Sequence, residues 1–75
     1  MNRVVNIPKL KSIMVLKSYN ITSLSQKMGV SRNTLSAVFN GKNPSYPIMC
    51  KIIEALELKD ETAGEIFFDS NLRNA

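Results

Sequence analysis

The chain has 75 residues, 44% of them hydrophobic and five of them aromatic, which suits one small core and leaves little room for an enclosed active site. It has no histidine, a single cysteine and no acidic residue before Glu54, so we expect no enzyme activity, no metal site and no cofactor. The net charge of +4 divides into +8 over residues 1–51 and −4 over residues 52–75, so we expect the first two thirds to face a polyanion.

The first predicted helix opens at residues 6–8, Asn-Ile-Pro. Proline suits a first helical turn because its missing N–H would be unpaired there anyway. From Leu10 the apolar residues follow the i, i+3, i+4 spacing of a helix with one buried face. We expect this helix to end near Tyr19.

The second predicted helix lies between a capping residue and a glycine. Asn20 is a good N-cap, since its side-chain oxygen can accept from an exposed N–H group of the first turn. Gly29 can close the helix with a positive φ, and Ser31 is the next N-cap. The face predicted to be buried consists of Ile21, Leu24, Ser25 and Met28.

The third predicted helix begins at Arg32 and has an unusual outer face. Leu35, Val38 and Phe39 gather on its core side at about 100° per residue. The opposite side carries Asn33, Ser36, Ala37 and Asn40, with Arg32 on the flank. Small polar residues are poorer helix formers than Lys or Glu, so this face was not chosen for helix stability.

Two more helices complete the prediction. Residues 41–47 form a loop that ends at Ser45 or Tyr46, with Pro47 in the first turn of helix four. Asp60 is expected to cap the last helix. The stripe predicted to be buried on helix four is Ile48, Ile52, Ala55 and Leu56. We therefore expect an all-α fold of five short helices in a single domain spanning residues 1–75, with its core in 8–68 and a mobile tail at 69–75.

Helices two and three, joined by a glycine-containing turn, form a predicted helix-turn-helix. A helix enters the DNA major groove only if its leading face is slim, and base edges there are read by Asn, Gln, Arg, Ser or Thr. Asn33 could pair with adenine, and Arg32 could pair with guanine or reach a phosphate instead. The predicted base-contacting residues are Arg32, Asn33 and Ser36.

Phosphate contacts are expected around the same helix. Helix N-termini and backbone amides bind phosphates, and polar residues follow helix three where it would leave the groove. These contacts orient the protein on DNA without reading sequence. The predicted phosphate-contacting residues are Thr22, Ser23, Ser31, Thr34, Asn40, Lys42 and Asn43.

Residues 24–43, "LSQKMGVSRNTLSAVFNGKN", closely resemble the helix-turn-helix of the lambda-repressor and Cro-type phage regulators. The resemblance extends over roughly residues 8–68 and implies a five-helix lambda-repressor-like DNA-binding domain that represses transcription at an operator. One departure concerns the start of helix two, where the family often has a glutamine that braces a phosphate. This chain has Ile21 there, which leaves Thr22 or Ser23 to replace that contact.

The short length and the ending "EIFFDSNLRNA" further resemble Cro-like proteins of temperate phages, including the lactococcal modulator-of-repression type. That resemblance implies a role at the lysis/lysogeny switch and pairing with the phage lysogeny repressor. Two hypotheses follow. The chain is either a DNA-binding repressor that acts on operator DNA as two copies, or as one copy with a partner, or an antirepressor that acts mainly by binding the larger repressor. The modulator type combines both functions.

The end of the last helix and the cell compartment complete the sequence predictions. Phe67 and Phe68 are consecutive, so both cannot face the same core; we expect one to be buried, and the pair forms the candidate partner surface. No apolar run approaches the ~18 residues of a membrane span, and the start lacks the apolar stretch of a signal peptide. The lone Cys50 cannot form an internal disulfide, which fits the cytoplasm of a bacterial host.

Overall fold

The computed structural model describes residues 5–67. Within that range the chain forms five α-helices and no strand, which confirms the predicted all-α fold. The predicted tail at 69–75 lies outside the described residues, as does Phe68. The helices are α1 (Ile7–Leu16), α2 (Ile21–Met28), α3 (Arg32–Phe39), α4 (Tyr46–Leu56) and α5 (Asp60–Phe67).

Four helices begin at a polar N-cap whose side-chain oxygen accepts a hydrogen bond from the backbone N–H three residues on. The donor–acceptor distances are 3.2 Å at Asn6, 2.7 Å at Asn20, 3.1 Å at Ser31 and 3.4 Å at Ser45. The predicted starts of these helices are therefore confirmed. The predicted start of the fifth helix was wrong by one residue, because Asp60, predicted as its N-cap, is itself the first helical residue.

Four helices end in one closing pattern, the Schellman motif. In α1 the N–H of Tyr19 donates to the carbonyl of Met14, and the N–H of Ser18 donates to that of Val15, both at 2.9 Å. In each motif the closing residue after the helix has a positive φ. These residues are Ser18, Gly29, Gly41 and Glu57. This closure ends α1 at Leu16, three residues before the predicted end near Tyr19.

Replacing Gly29 with alanine is expected to lower the free energy of unfolding by about 1–2 kcal/mol, because φ is +74° and an L side chain is strained there. An added Cβ would meet no atom within 4 Å, so backbone strain alone accounts for the loss. Urea denaturation followed by circular dichroism measures it. Gly64 is the matched control, since its surroundings are equally open and it lies inside α5; there alanine should stabilise the protein.

The core is assembled from all five helices. Phe67 is completely buried, so it does not form part of an exposed partner surface, and the prediction that placed it there is corrected. On α4 the buried stripe includes Met49, whereas Ile48 is only partly buried. The fully buried large side chains are Leu10, Leu24, Leu35, Ile52, Leu56, Ile66 and Phe67.

Helix packing leaves the outer face of α3 uncovered. The α2 helix packs on α3 and on α4, while α1 packs on α5. The start of α1 is held against α5 by the N–H of Asn6, which donates to the carbonyl of Ile66 at 2.8 Å, and by an ion pair of 2.9 Å between Lys9 and Glu65. Within residues 5–67 no helix is long and apolar enough to cross a bilayer.

Candidate functional site

The orientation of α3 is set by its two buried residues. Leu35 and Val38 point into the core, and the cap at Ser31 fixes where the helix begins. Arg32 and Asn33 are therefore exposed, and Ser36 is half-buried. The structure places all three predicted base-contacting residues on the side that the helical wheel predicts.

The polar groups of this face are available to a ligand. Within residues 5–67 the side chains of Arg32, Asn33 and Ser36 make no hydrogen bond and no ion pair. An asparagine with both ends of its amide free can donate and accept at once, which bidentate pairing with an adenine edge requires. An arginine with a free guanidinium can donate two parallel hydrogen bonds.

The start of α3 carries a linked pair of hydroxyls. The Oγ of Ser31 accepts from the N–H of Thr34 and lies 2.7 Å from the Oγ1 of Thr34. Only one hydroxyl proton is used between the two oxygens, so the other can be donated outward. Both residues are exposed, and together they present a fixed donor at the N-terminus of the helix, where an anion is favoured.

At the start of α2 the two candidates for the missing glutamine contact differ. The Oγ of Ser23 accepts from the N–H of Asn20 at 2.9 Å and lies 3.3 Å from the carbonyl oxygen of Asn20, so its polar capacity serves a capping box. Thr22 is exposed, and its hydroxyl makes no hydrogen bond within the part of the chain that the structure describes. Thr22 is the better placed of the two.

An open cleft of about 470 Å³ lies beside α3, between this helix and the start of α4. It brings Asn33 and Thr34 together with Lys42 and Asn43 from the loop that follows. Predicted base-contacting and phosphate-contacting residues therefore share one surface depression. The remaining residues around the cleft are Ala37, Val38, Pro44, Ser45 and Ile48.

The other predicted site residues lie outside this cleft. Thr22, Ser23 and Ser31 precede it along the helix-turn-helix, and Arg32 and Ser36 do not line it. Asn40 is exposed at the C-cap of α3, where its own N–H donates to the carbonyls of Ser36 and Ala37.

Tyr46 is a surface residue that sequence reasoning treated only as the end of a loop. It is the first residue of α4 and 71% exposed. Interaction with Cys50, first through a hydrogen bond and then through electrostatic repulsion, raises the pKa of Tyr46 above its ordinary value. An exposed aromatic side chain in the polar run "GKNPSYP" is the signal that could have identified it.

The charges of the described residues separate along the chain. Residues 5–51, which include α2, α3 and the loop to α4, contain no acidic residue, whereas Lys27, Lys42 and Lys51 are exposed there. All acidic residues described lie from Glu54 onward. The segment that forms α2, α3 and the following loop therefore contributes cations without anions, which favours an anionic ligand, although Glu54 of α4 lines a depression together with Lys27 and Lys51.

Comparison with known proteins identifies a family match that includes α2 and α3. A family model described as "Helix-turn-helix" matches residues 10–62, which covers more than half of the sequence. Comparison with curated proteins and with solved structures gave no significant match.

Proposed function

The chain belongs to the helix-turn-helix family of lambda-repressor and Cro-type DNA-binding transcription regulators, and on that premise we propose that α3 reads a specific operator. The observation that carries this proposal is the outer face of α3. Arg32 and Asn33 are exposed there with free hydrogen-bonding groups, in a region without acidic residues.

In the proposed complex α3 lies in the major groove. Asn33 pairs with N6 and N7 of an adenine, and Arg32 donates to O6 and N7 of a guanine or to a phosphate. Ser36, one turn further along, contacts a neighbouring base edge. The shortness of the Asn33 and Ser36 side chains lets the helix approach the bases closely.

Phosphate contacts flank these base contacts. The hydroxyls of Ser31 and Thr34 and that of Thr22 act at two helix N-termini, where the helix dipole favours an anion. After α3, Asn40, Lys42 and Asn43 face the adjacent backbone strand. Ser23 supports the contact made by Thr22 indirectly, because its hydrogen bonds with Asn20 order the start of α2.

We place this regulator at the lysis/lysogeny switch of a temperate phage, in the cytoplasm of the bacterial host. The support is the resemblance of residues 24–43 to phage regulators, together with the resemblance of residues 65–75 to Cro-like proteins of temperate phages. Operators of this class have two half-sites, so two copies, or one copy and a partner, must act together. A divergently transcribed neighbouring gene for a larger helix-turn-helix repressor would be the expected genetic setting.

A second candidate function is favoured by a separate observation. Val15 and Leu16 are exposed at the end of α1, and neither belongs to the predicted DNA-contacting set. Exposed apolar side chains beside one another fit contact with a protein, such as the phage lysogeny repressor. In this antirepressor function the chain acts mainly by forming a complex with that repressor.

DNA binding is tested by its salt dependence. Each neutralised phosphate releases counterions, so the logarithm of affinity should fall linearly with the logarithm of salt concentration, by about 0.9 per contact. Replacing Lys42 with alanine should reduce this slope by roughly 1 and weaken binding to all sequences similarly. Fluorescence anisotropy on duplexes at 50–200 mM salt provides the measurement.

The matched control is Lys59→Ala, which removes an exposed cation from the acidic part of the chain, between α4 and α5. It should leave the slope unchanged. Affinity that is insensitive to salt would overturn DNA binding as the main activity and favour the antirepressor function.

A further inference from the structure

The outer side of α1 carries two of the three large hydrophobic side chains that are exposed within residues 5–67. Leu16 is 80% exposed and Val15 is 61% exposed, while Leu10 and Met14 bury the opposite side of the same helix. Pro8 and Ser12 lie on the same side of the helix as Val15 and Leu16 and are also exposed. We name the surface of Pro8, Ser12, Val15 and Leu16 the α1 outer face.

The exposed residues Val15 and Leu16 lie at a well-ordered helix end. The carbonyls of Met14 and Val15 accept the two hydrogen bonds that close α1, each of 2.9 Å. Tyr19, the donor of one of them, packs against the core. The α1 outer face is therefore held in a fixed shape, and a partner that binds it loses little affinity to ordering this protein.

Two lysines beside this face make no ion pair within residues 5–67. Lys11 and Lys17 are exposed, and the ion pair between Lys9 and Glu65 is the one that occurs within residues 5–67. A second copy that docked the same face would bring Lys11 and Lys17 against themselves, which charge repulsion disfavours. Nucleic acid would match the charge but would leave Val15 and Leu16 without an apolar partner.

We propose that the α1 outer face docks a segment of a different protein in which apolar anchors are flanked by Asp or Glu. The anchors cover Val15 and Leu16, and the carboxylates pair with Lys11 and Lys17. This surface deepens the partner-binding part of the proposed function and rests on it. The α1 outer face contains no residue of the predicted DNA-contacting set, so we expect a partner seated here to leave the outer face of α3 open.

The probe is a designed helical peptide with two leucines one turn apart, flanked by glutamates. Titrated into the isotopically labelled full chain, it should shift amide resonances of α1 and leave those of α3 unchanged. The Leu16→Ser variant should bind it about tenfold more weakly, the loss expected for removing one central anchor. This variant should stay folded and keep its DNA affinity, because Leu16 is exposed and outside the DNA-contacting set.

The charge requirement has its own pair of variants. Lys11→Ser should weaken peptide binding several-fold at low salt, whereas Lys51→Ser, which makes the same charge change on α4, should not. A peptide with lysines in place of the glutamates should not bind. The proposal is overturned by equal binding of both peptides, by shifts that avoid α1, or by no shift at millimolar peptide.

Two further outcomes would assign the face to another occupant. Concentration-dependent dimers that Leu16→Ser abolishes would indicate a second copy, and binding to anionic phospholipid vesicles that Leu16→Ser abolishes would indicate a membrane surface. Both would overturn the proposal. Failure of the unmodified protein to bind DNA would overturn the operator function but not the peptide-docking proposal, since the two are measured in separate experiments.

Discussion

Replacing Phe67 with serine is expected to remove a large part of the stability of the fold. Phe67 is completely buried, and truncating a buried phenylalanine costs about 3–5 kcal/mol. A domain of this length has roughly 4–11 kcal/mol of stability in total. Serine also brings a hydroxyl into an apolar site, which adds a desolvation cost. Urea denaturation followed by circular dichroism should show a large loss of the folded fraction.

Val15→Ser is the control for this experiment. It also replaces an apolar residue with serine, but Val15 is mostly exposed, so the unfolding midpoint should hardly change. A Phe67→Ser protein that kept its midpoint would contradict the burial of Phe67. If that stable variant also failed to bind the phage lysogeny repressor, Phe67 would return to the candidate partner surface.

Replacing Asn33 with alanine is expected to weaken binding to the cognate DNA by about 1–3 kcal/mol, which is roughly 5-fold to 150-fold. The loss should be confined to the cognate sequence, because phosphate contacts remain intact in the variant. A duplex enriched from a random pool supplies the cognate site, and a scrambled duplex of equal length supplies the reference. Anisotropy titrations at one fixed salt concentration give both affinities.

Gln26→Ala is the matched control, since it removes an exposed amide from α2 outside the predicted contacts. It should leave the preference for the cognate duplex unchanged. Alanine is the better helix former at position 33, so unfolding of the variant is not expected to contribute. Equal losses on cognate and scrambled DNA would remove Asn33 as a base-reading residue.

The helix starts could be predicted because their causes are local. Asn6, Asn20 and Ser31 each bond to an N–H three residues away, and Gly29 supplies a backbone shape that only nearby residues influence. The end of α1 could not be predicted in the same way. Its closing residue is Ser18, with φ of +67°, and serine is not a usual marker of that conformation.

Choices between neighbouring apolar residues depended on tertiary packing. Ile48 and Met49 differ by about 100° around α4, and contact with the other helices selects Met49 for the core. The consecutive residues Phe67 and Phe68 pose the same choice in the sequence, and Phe67 is buried.

The sides of α3 were predictable, whereas its surroundings were not. The spacing of Leu35 and Val38 sets which residues face outward, so the exposure of Arg32 and Asn33 follows from the sequence. The cleft that joins Asn33 to Lys42 and Asn43 depends on the path of an irregular loop. The use of Ser23 in a capping box was also missed, because the usual partner at that position is Glu or Gln.

The shortness of α3 limits how much information one molecule can extract from a genome. Eight helical residues extend about 12 Å at 1.5 Å each, which matches only three or four base pairs at 3.4 Å spacing. A DNA site of three or four base pairs recurs by chance far too often in a bacterial chromosome to mark a single operator. Recognition of a unique site therefore requires a second recognition helix, held at a fixed spacing from the first on the same DNA duplex.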